Sequence, residues 1–292
     1  LGRSPAGEIS CVRRALGRDA AVAALALSVA SLNMSNGLSS EPRWTSRRSP
    51  LICTRGAICT SQPLASEAGL RILKAGGNAA DACVAAVAAL NVTEPCMCGI
   101  GGDAFCLFYD AKTRKVRALN GSGAAPAALT LATARATGGP GGKPVEGDKM
   151  LDPASVHCIT VPGAAAAWSD AASQFGTKPL SELLAPAIEL AEGGYPVNAI
   201  ASILWEHAAP GLTDRWGGLK HNPGASSFLR PDGKPPKPGD IMYMPELAQT
   251  FRELGEKGPD GFYRGRIANA IVELVKSKGG LMSEEDLASH HS

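Results

Sequence analysis

The sequence predicts a protein of mixed helix and sheet, in the α/β (α+β) class, and three features support this prediction. Residues 79–92 are nearly all small and apolar, and a helix that is apolar on every side is usually buried. Residues 104–109 and 115–120 are rich in β-favouring side chains and are typical of two strands of one hairpin. Residues 245–256 and 266–278 have apolar positions at helical spacing. We therefore expect a central apolar helix with strands and amphipathic helices around it.

The first elements have clear signals at their ends. Residues 56–60 are predicted to form a short strand, and residues 63–74 have apolar positions at helical spacing. Asn78 is a favourable N-cap for the central helix, and Asp81 lies in its first turn, where a negative charge is stabilising. Pro95 ends the same helix. The central helix is therefore delimited at both ends.

The second half of the chain alternates helices with loops rich in glycine and proline. Ser283 is the predicted N-cap of a last helix, with Asp286 at the capping-box position. A loop as long as 217–240 is usually functional or flexible. The other elements predicted here are a loop over 138–147, a third strand over 155–161, and helices over 162–175, 180–192 and 196–209.

Composition limits the class of protein. A length of 292 residues allows one large domain or two ordinary ones, and 45% hydrophobic residues supply a sizeable core. Abundant alanine and 34 glycines predict a core of small side chains. The net charge of +2, without a clustered basic face, gives no indication of a nucleic-acid partner.

The cysteines and histidines do not form a recognisable metal or disulfide pattern. Cys96 and Cys98 are the only close pair, and C-x-C is not the C-x-x-C spacing of zinc or redox sites. We predict buried or partly buried free thiols in a reducing compartment. The eight cysteines are Cys11, Cys53, Cys59, Cys83, Cys96, Cys98, Cys106 and Cys158.

The amino-terminal residues 1–45 differ in composition from the rest of the chain. Basic residues precede an apolar run over 20–32, which is too short for a membrane span of about 20 residues. Three interpretations stay open: a signal peptide, an organelle transit peptide, or an Ala-rich surface helix or misassigned first exon. The compartment is accordingly unknown.

No catalytic motif is evident from the residues alone. Residues 99–103 read GIGGD, but they precede a strand, whereas a dinucleotide fingerprint follows a strand and opens a helix. We expect these glycines to allow close approach of backbone to backbone or to a ligand. The chain has no G-x-S-x-G and no H-E-x-x-H.

Several ordered motifs resemble the large subunit of γ-glutamyltranspeptidases. The run 59–82 is similar to the opening of that subunit, and the segment 93–95 (TEP) with the GIGG of 99–102 is similar to the family's signature. The resemblance covers about 46–288, so residues 46–292 are interpreted as the large-subunit portion and 1–45 as a leader or disordered extension. Further matching segments are 161–163, 175–177, 184–197, 236–240, 245–248, 261–265, 279–281 and 285–288.

This resemblance implies an N-terminal-nucleophile hydrolase with an α-β-β-α sandwich, here incomplete. Family members are precursors that cut themselves before a threonine. That threonine attacks a γ-glutamyl amide, typically glutathione, and its own α-amine can act as the base. The resemblance implies a small-molecule substrate, a small subunit from the same precursor as partner, and no metal, organic cofactor or nucleic acid.

Two departures from the family pattern bear on function. No threonine here lies in the nucleophile motif, so we expect no catalytic residue in this chain, a nucleophile beyond residue 292, and an inactive chain on its own. The family carries an arginine just before an Ala-Pro, where it binds the substrate carboxylate as a bidentate pair. By spacing, Ser122 occupies that position.

Alternatives therefore remain. Arg117 either substitutes for the missing arginine or is a solvated charge on its strand, and its place within the strand favours the second interpretation. The chain is part of a glutathione hydrolase-like precursor, part of a glutaryl or cephalosporin-acylase-type amidase, or an inactive truncated paralogue or gene-model fragment that is inert or only binds partners.

Overall fold

A computed structural model describes residues 50–147, 149–210 and 223–292. The predictions for 1–45, for Cys11 and for 217–222 lie outside this part. No helix within it is long and apolar enough to cross a membrane. In chain order the elements are α1 Pro63–Lys74, α2 Ala79–Thr93, β1 Ala104–Asp110, β2 Lys115–Gly121, α3 Leu131–Thr137, α4 Ala164–Phe175, α5 Leu180–Gly193, β3 Tyr195–Pro196, α6 Ala199–Pro210, β4 Ile241–Met242, α7 Pro245–Lys257, α8 Asp260–Tyr263, α9 Gly265–Ser277 and α10 Glu284–Ala288.

Helix α2 is the centre of the structure, as its composition predicts. Twelve of its fifteen residues are buried, and it packs against α1, α4 and α5. Asn78 and Asp81 form a reciprocal capping box at its start, so the predicted N-cap is confirmed. Because seven of its fifteen residues are alanine, neighbouring helices approach it closely.

Asp81 ties this helix to the turn between α4 and α5. Its side chain is fully buried, and it accepts hydrogen bonds from the backbone N–H groups of Thr177 and Lys178 and from the Thr177 hydroxyl. It also accepts from the backbone N–H of Asn78. The buried carboxylate is thus fully supplied with donors, which a buried charge requires.

Strands β1 and β2 form the predicted antiparallel hairpin, in register from Ala104 opposite Gly121 to Asp110 opposite Lys115. One face packs on α4, where the rings of Phe108 and Phe175 stack with centroids 4.9 Å apart. The opposite face is exposed, with large apolar side chains at Phe105, Leu107, Tyr109 and Val116.

The remaining helices complete the core. Helix α5 packs between α2 and α7, and α8 contacts α7, α9 and α10. Gly194 ends α5 with φ of 83°, a left-handed conformation that glycine adopts without strain. Ser283 and Asp286 form the second capping box, which confirms the prediction for the last helix.

Two predicted strands are wrong. Residues 56–60 pair with no strand in the described part of the chain, and the backbone N–H of Thr60 instead donates to Ser66 Oγ at the start of α1. Residues 155–161 contain a 3-10 turn over Val156–Cys158, because the Ser155 side chain accepts a hydrogen bond from the backbone N–H of His157. Such local bonds compete with strand pairing.

Other differences are smaller. The helix predicted from Pro196 begins at Ala199, because Tyr195–Pro196 pairs with Ile241–Met242 as a short β-ladder. Short helices α3 and α8 were not predicted; each is too brief to show a period. The long loop predicted over 217–240 contains a 3-10 segment at Pro223–Phe228.

Candidate functional site

Ser122 lies at the open end of the β1–β2 hairpin. It follows Gly121, the last paired residue of β2, and it is exposed. Its backbone N–H donates to Asn120 Oδ1 at 3.1 Å, which fixes the chain direction as it leaves the strand. The Ser122 backbone is therefore held at the rim of the sheet, the end of the hairpin where β1 begins and β2 ends.

Asp103 shares this rim. The paired residues of the hairpin end at Ala104 opposite Gly121, so Asp103 directly precedes β1 just as Ser122 directly follows β2. The backbone N–H of Gly123 donates to Asp103 Oδ1 at 3.0 Å. This bond joins the two chain segments beyond the last paired residues of the hairpin.

Close backbone contacts hold the rim against the start of α4. The Gly102 carbonyl accepts from the backbone N–H groups of Gly163 and Ala164, both at 2.9 Å. A Cβ added at Gly123 would lie 1.8 Å from the Val161 carbonyl oxygen, and one at Gly163 would lie 2.0 Å from that of Gly121. These positions accept only glycine, so the rim is built rigidly.

For the GIGGD segment, a close approach of backbone to backbone is not found at Gly99 or Gly101, while close approach to a ligand stays a prediction. A Cβ added at either would meet nothing within 4 Å in the described part of the chain. The tight crossings are instead at Gly121, Gly123 and Gly163. The motif contributes its Gly102 carbonyl and its Asp103 side chain.

Arg117 points to the other face of the hairpin from Ser122. Its guanidinium carbon lies 4.5 Å from the centroid of the Phe175 ring, and Nη2 donates to Gln174 Oε1 at 3.2 Å. A guanidinium over a ring face is attracted electrostatically. Arg117 is exposed, but it is held on α4 rather than free in solvent, and the sheet separates it from Ser122.

His290, for which the sequence gives no functional signal, lies near Asp103 at the rim. The His290 ring has its centroid 5.3 Å from that of Tyr263, and its Nε2 is buried without a hydrogen-bond partner in the described residues. Burial lowers the pKa of His290, and nearby His291 lowers it further, although Asp103 and Asp170 oppose this shift. No sequence motif marks this residue, because α10 brings it back through the tertiary fold.

The described cysteines form no metal-binding cluster. The seven described cysteines are free, and the described residues contain no cluster of metal-ligating side chains. Burial raises the pKa of Cys83 and Cys98 to about 12 and that of Cys96 to about 11. The prediction of buried or partly buried thiols is wrong for three residues, which are exposed: Cys53, Cys59 and Cys158.

Solved structures define the class of protein to which this architecture belongs. The γ-glutamyltranspeptidase of Helicobacter pylori matches with a TM-score of 0.71 and 32% identity, over 83% of this chain and 66% of that one. The cephalosporin acylase of Bacillus halodurans matches with a TM-score of 0.72 and 37% identity, over 85% of this chain and 46% of that one. The fold is thus part of an N-terminal-nucleophile hydrolase, which confirms the predicted class.

Sequence comparison identifies the family within this class. A family model described as gamma-glutamyltranspeptidase matches residues 65–292, so this chain belongs to the γ-glutamyltranspeptidase family. The glutathione hydrolase proenzyme of Bacillus subtilis (strain 168) is 36% identical over 80% of this chain and 38% of its own length. The acylase ACY 1 proenzyme of Pseudomonas sp. (strain SE83) is 35% identical over 85% of this chain and 43% of its own length. The chain therefore spans about two fifths of these relatives.

Proposed function

We propose that residues 46–292 are the large-subunit portion of a self-cleaving precursor that hydrolyses or transfers γ-glutamyl groups from glutathione-type amides. The observation that carries this proposal is the family match over 65–292 to relatives named proenzymes. Since the match spans only about two fifths of those relatives, the nucleophile is proposed to come from the part of the precursor that follows the matched portion.

In this proposal a threonine at the new N-terminus supplies the chemistry. Its hydroxyl attacks the donor carbonyl while its own α-amine takes the proton. An acyl-enzyme forms, the amine of the donor leaves, and water or a second amine takes the acyl group. The contribution of the present chain is positional: the rim at Asp103 and Ser122 borders the site that the acyl donor enters.

The partner is proposed to be the small subunit of the same precursor. Leu107 and Val116 on the outer face of the hairpin are 62% and 65% exposed, and within the described residues both hairpin edges are unpaired. Exposed apolar sheet surface and free edges invite association. A second sheet laid on this face would complete the α-β-β-α sandwich.

The test is turnover of γ-glutamyl-p-nitroanilide by the full precursor. We expect two fragments on a denaturing gel and release of p-nitroaniline with glutamate. The control replaces the threonine at the new N-terminus by alanine, which removes the nucleophile. Fragments that form normally but release no p-nitroaniline above this control would reject the γ-glutamyl activity.

One observation favours a second candidate, an amidase of the same family that acts on another acyl group such as glutaryl. Ser122 cannot supply the charged fork of an arginine, and Arg117 is engaged with Phe175 and Gln174 on the other face. One of the similar structures is a cephalosporin acylase. A clear preference for glutaryl-p-nitroanilide over the γ-glutamyl donor would select this candidate.

A further inference from the structure

We propose that ordered water occupies one buried polar site beside the turn over 94–98 and bonds to Gln62, Asn91 and Tyr195. This turn follows α2, and the chain then leads to β1. The water would therefore stabilise the connection between the central helix and the hairpin. The inference goes beyond the proposed function, because it holds whichever acyl group the assembled protein transfers.

Three buried side chains each carry one polar atom that has no hydrogen-bond partner in the described part of the chain. Gln62, Asn91 and Tyr195 are each at most 3% exposed. The atoms without a partner are Gln62 Nε2, Asn91 Oδ1 and the Tyr195 hydroxyl oxygen. The large majority of buried polar side-chain atoms in proteins bond to another protein group or to ordered water. Three such atoms in one region therefore indicate a ligand.

Hydrogen bonds to the backbone determine which amide atoms are left over. The backbone N–H of Ala201 donates to Asn198 Oδ1 at 2.8 Å, so Asn198 Nδ2 is the atom that donates to Gln62 Oε1. The remaining Gln62 atom is therefore the donor Nε2. Asn91 Nδ2 donates to the Val87 carbonyl at 3.1 Å, so its remaining atom is the acceptor Oδ1. The site thus offers one donor and one acceptor.

Gln62 and Asn91 both lie at the turn. Gln62 follows Ser61, whose hydroxyl donates to the carboxylate of Glu94 at the start of the turn. Asn91 belongs to the last turn of α2. Burial raises the pKa of Cys98 at the end of the turn to about 12, although a hydrogen bond with Asn91 opposes this shift. The two amides therefore border the same short segment.

Tyr195 approaches the turn from β3. Burial raises the pKa of Tyr195, and the nearby Cys96 thiol in the middle of the turn raises it further. The Tyr195 hydroxyl therefore keeps its proton near neutral pH, and it can both donate and accept a hydrogen bond. Burial also raises the pKa of Cys96, to about 11, so this thiol is neutral as well.

A neutral molecule that both donates and accepts satisfies this set of atoms. Gln62 Nε2 requires an acceptor, and Asn91 Oδ1 requires a donor. A cation would face the Gln62 N–H, and an anion would lie near the buried carboxylate of Glu94. Buried waters typically make about three hydrogen bonds to polar groups that otherwise have no partner. Water is therefore the ligand whose chemistry fits.

The direct test is a high-resolution crystal structure of the full-length protein, whether or not it is self-cleaved. We expect a solvent peak at about 2.7–3.2 Å from the Tyr195 hydroxyl oxygen and from Gln62 Nε2 or Asn91 Oδ1. A protein atom from outside the described ranges at this position would overturn the inference. Apolar contacts around all three atoms would overturn it equally.

Unfolding of variants tests the inference without crystals. Tyr195→Phe keeps the ring and removes the hydroxyl, so loss of a bond to water should lower the midpoint of thermal unfolding of the full-length protein by about 1–3 °C. A hydroxyl without a partner would give an unchanged or higher midpoint. The matched control is Tyr243→Phe, because Tyr243 is 54% exposed; it should change the midpoint by less than about 0.5 °C.

A double variant tests whether the water is shared. Gln62→Met removes the amide at similar side-chain volume, and its combination with Tyr195→Phe should cost less than the sum of the two single losses, because both act on one water site. Strictly additive losses, or a Tyr195→Phe protein at least as stable as the wild type, would overturn the inference. Turnover of γ-glutamyl-p-nitroanilide reports on the proposed function separately, and its absence would leave these results unchanged.

Discussion

At the level of single residues, Asp81 has a buried carboxylate that accepts hydrogen bonds from two separate parts of the chain. Asn78 in the capping box and Thr177 and Lys178 in the turn between α4 and α5 all donate to one fully buried carboxylate. Hydrogen bonds to a charged group contribute about 1.5–3 kcal/mol each, and a buried donor left without its partner costs about 1–3 kcal/mol. The sequence predicts the N-cap half of this arrangement, but the turn that completes it lies almost a hundred residues away along the chain.

We expect Asp81→Ala to lower the free energy of unfolding by about 3 kcal/mol or more. The matched control is Asp110→Ala, because Asp110 also accepts from a backbone N–H and a threonine hydroxyl but lies at the exposed hairpin turn. It should change stability by less than about 1 kcal/mol. Chemical denaturation of the two variants measures both values, and equal losses would contradict the importance of burial.

Burial also predicts the order in which the cysteines react. Since burial raises the pKa of Cys83 and Cys98 to about 12 from an ordinary value of 9.0, their thiolate fraction at pH 8 falls about a thousandfold. We expect iodoacetamide at pH 8 to label the exposed Cys53, Cys59 and Cys158 first. Peptide mass spectrometry over a time course measures the order. In denaturant the difference in labelling rate between exposed and buried cysteines should vanish. Labelling of Cys83 or Cys98 at the same rate as Cys158 in the native protein would contradict this prediction.

How much of the site the sequence reveals depends on the kind of information needed. Ser122 can be placed by spacing from the Ala-Pro that follows it, which is a local feature. The hydrogen bond from the Gly123 N–H to Asp103 joins residues twenty positions apart in the chain, so it depends on the register of the hairpin, which local sequence does not state. His290 reaches the rim only through the packing of α8 and α10, for which no local pattern exists.

Among the elements, those with strong local signals form where the sequence predicts them. Helix α2 has a capping box and a continuous apolar sequence, and the β1–β2 hairpin has two β-rich segments around a short turn. Residues 155–161 have strand-like composition, but the Ser155 side chain turns the backbone and no strand lies beside them within the described ranges. Strands need a partner as well as composition.

The junction between the hairpin and α4 depends on glycine. At Gly163 the φ is −95°, which alanine adopts readily, so the backbone conformation itself does not require glycine. An alanine Cβ would, however, lie 2.0 Å from the Gly121 carbonyl oxygen. Packing at this crossing, and not a left-handed backbone, therefore requires the glycine.

We expect Gly163→Ala to separate the hairpin from α4 and to lower the free energy of unfolding by about 3 kcal/mol, at the upper end for an overpacked site. Gly101→Ala is the matched control, because its Cβ would meet nothing within 4 Å of the described residues; it should cost less than about 0.5 kcal/mol. Thermal unfolding of both variants gives the comparison. A Gly163→Ala protein as stable as Gly101→Ala would show that the hairpin and α4 can shift apart at this contact without loss of stability.

At the scale of the whole molecule, the hairpin divides a packed side from an open one. The α4 side contains the stacked Phe108 and Phe175 rings, while Phe105 and Leu107 on the open side are 66% and 62% exposed. Apolar patches of this kind on a sheet mark interaction surfaces or aggregation sites. The proposed small subunit would cover this side, so the isolated chain should associate through it.

Two substitutions one residue apart on β1 test this division. Leu107→Thr replaces an exposed apolar side chain by a polar one with good strand propensity. It should increase the soluble, monomeric fraction of the isolated chain and leave the free energy of unfolding within about 0.5 kcal/mol. Phe108→Thr removes the ring that stacks on Phe175 and should cost about 2–4 kcal/mol. Size-exclusion chromatography measures the monomeric fraction, and chemical denaturation measures the free energy of unfolding.

In the full precursor we expect the opposite effect of Leu107→Thr on stability. There the partner subunit would bury Leu107, so Leu107→Thr should destabilise the assembled protein. A Leu107→Thr precursor as stable as the wild type would show that the partner does not cover this face.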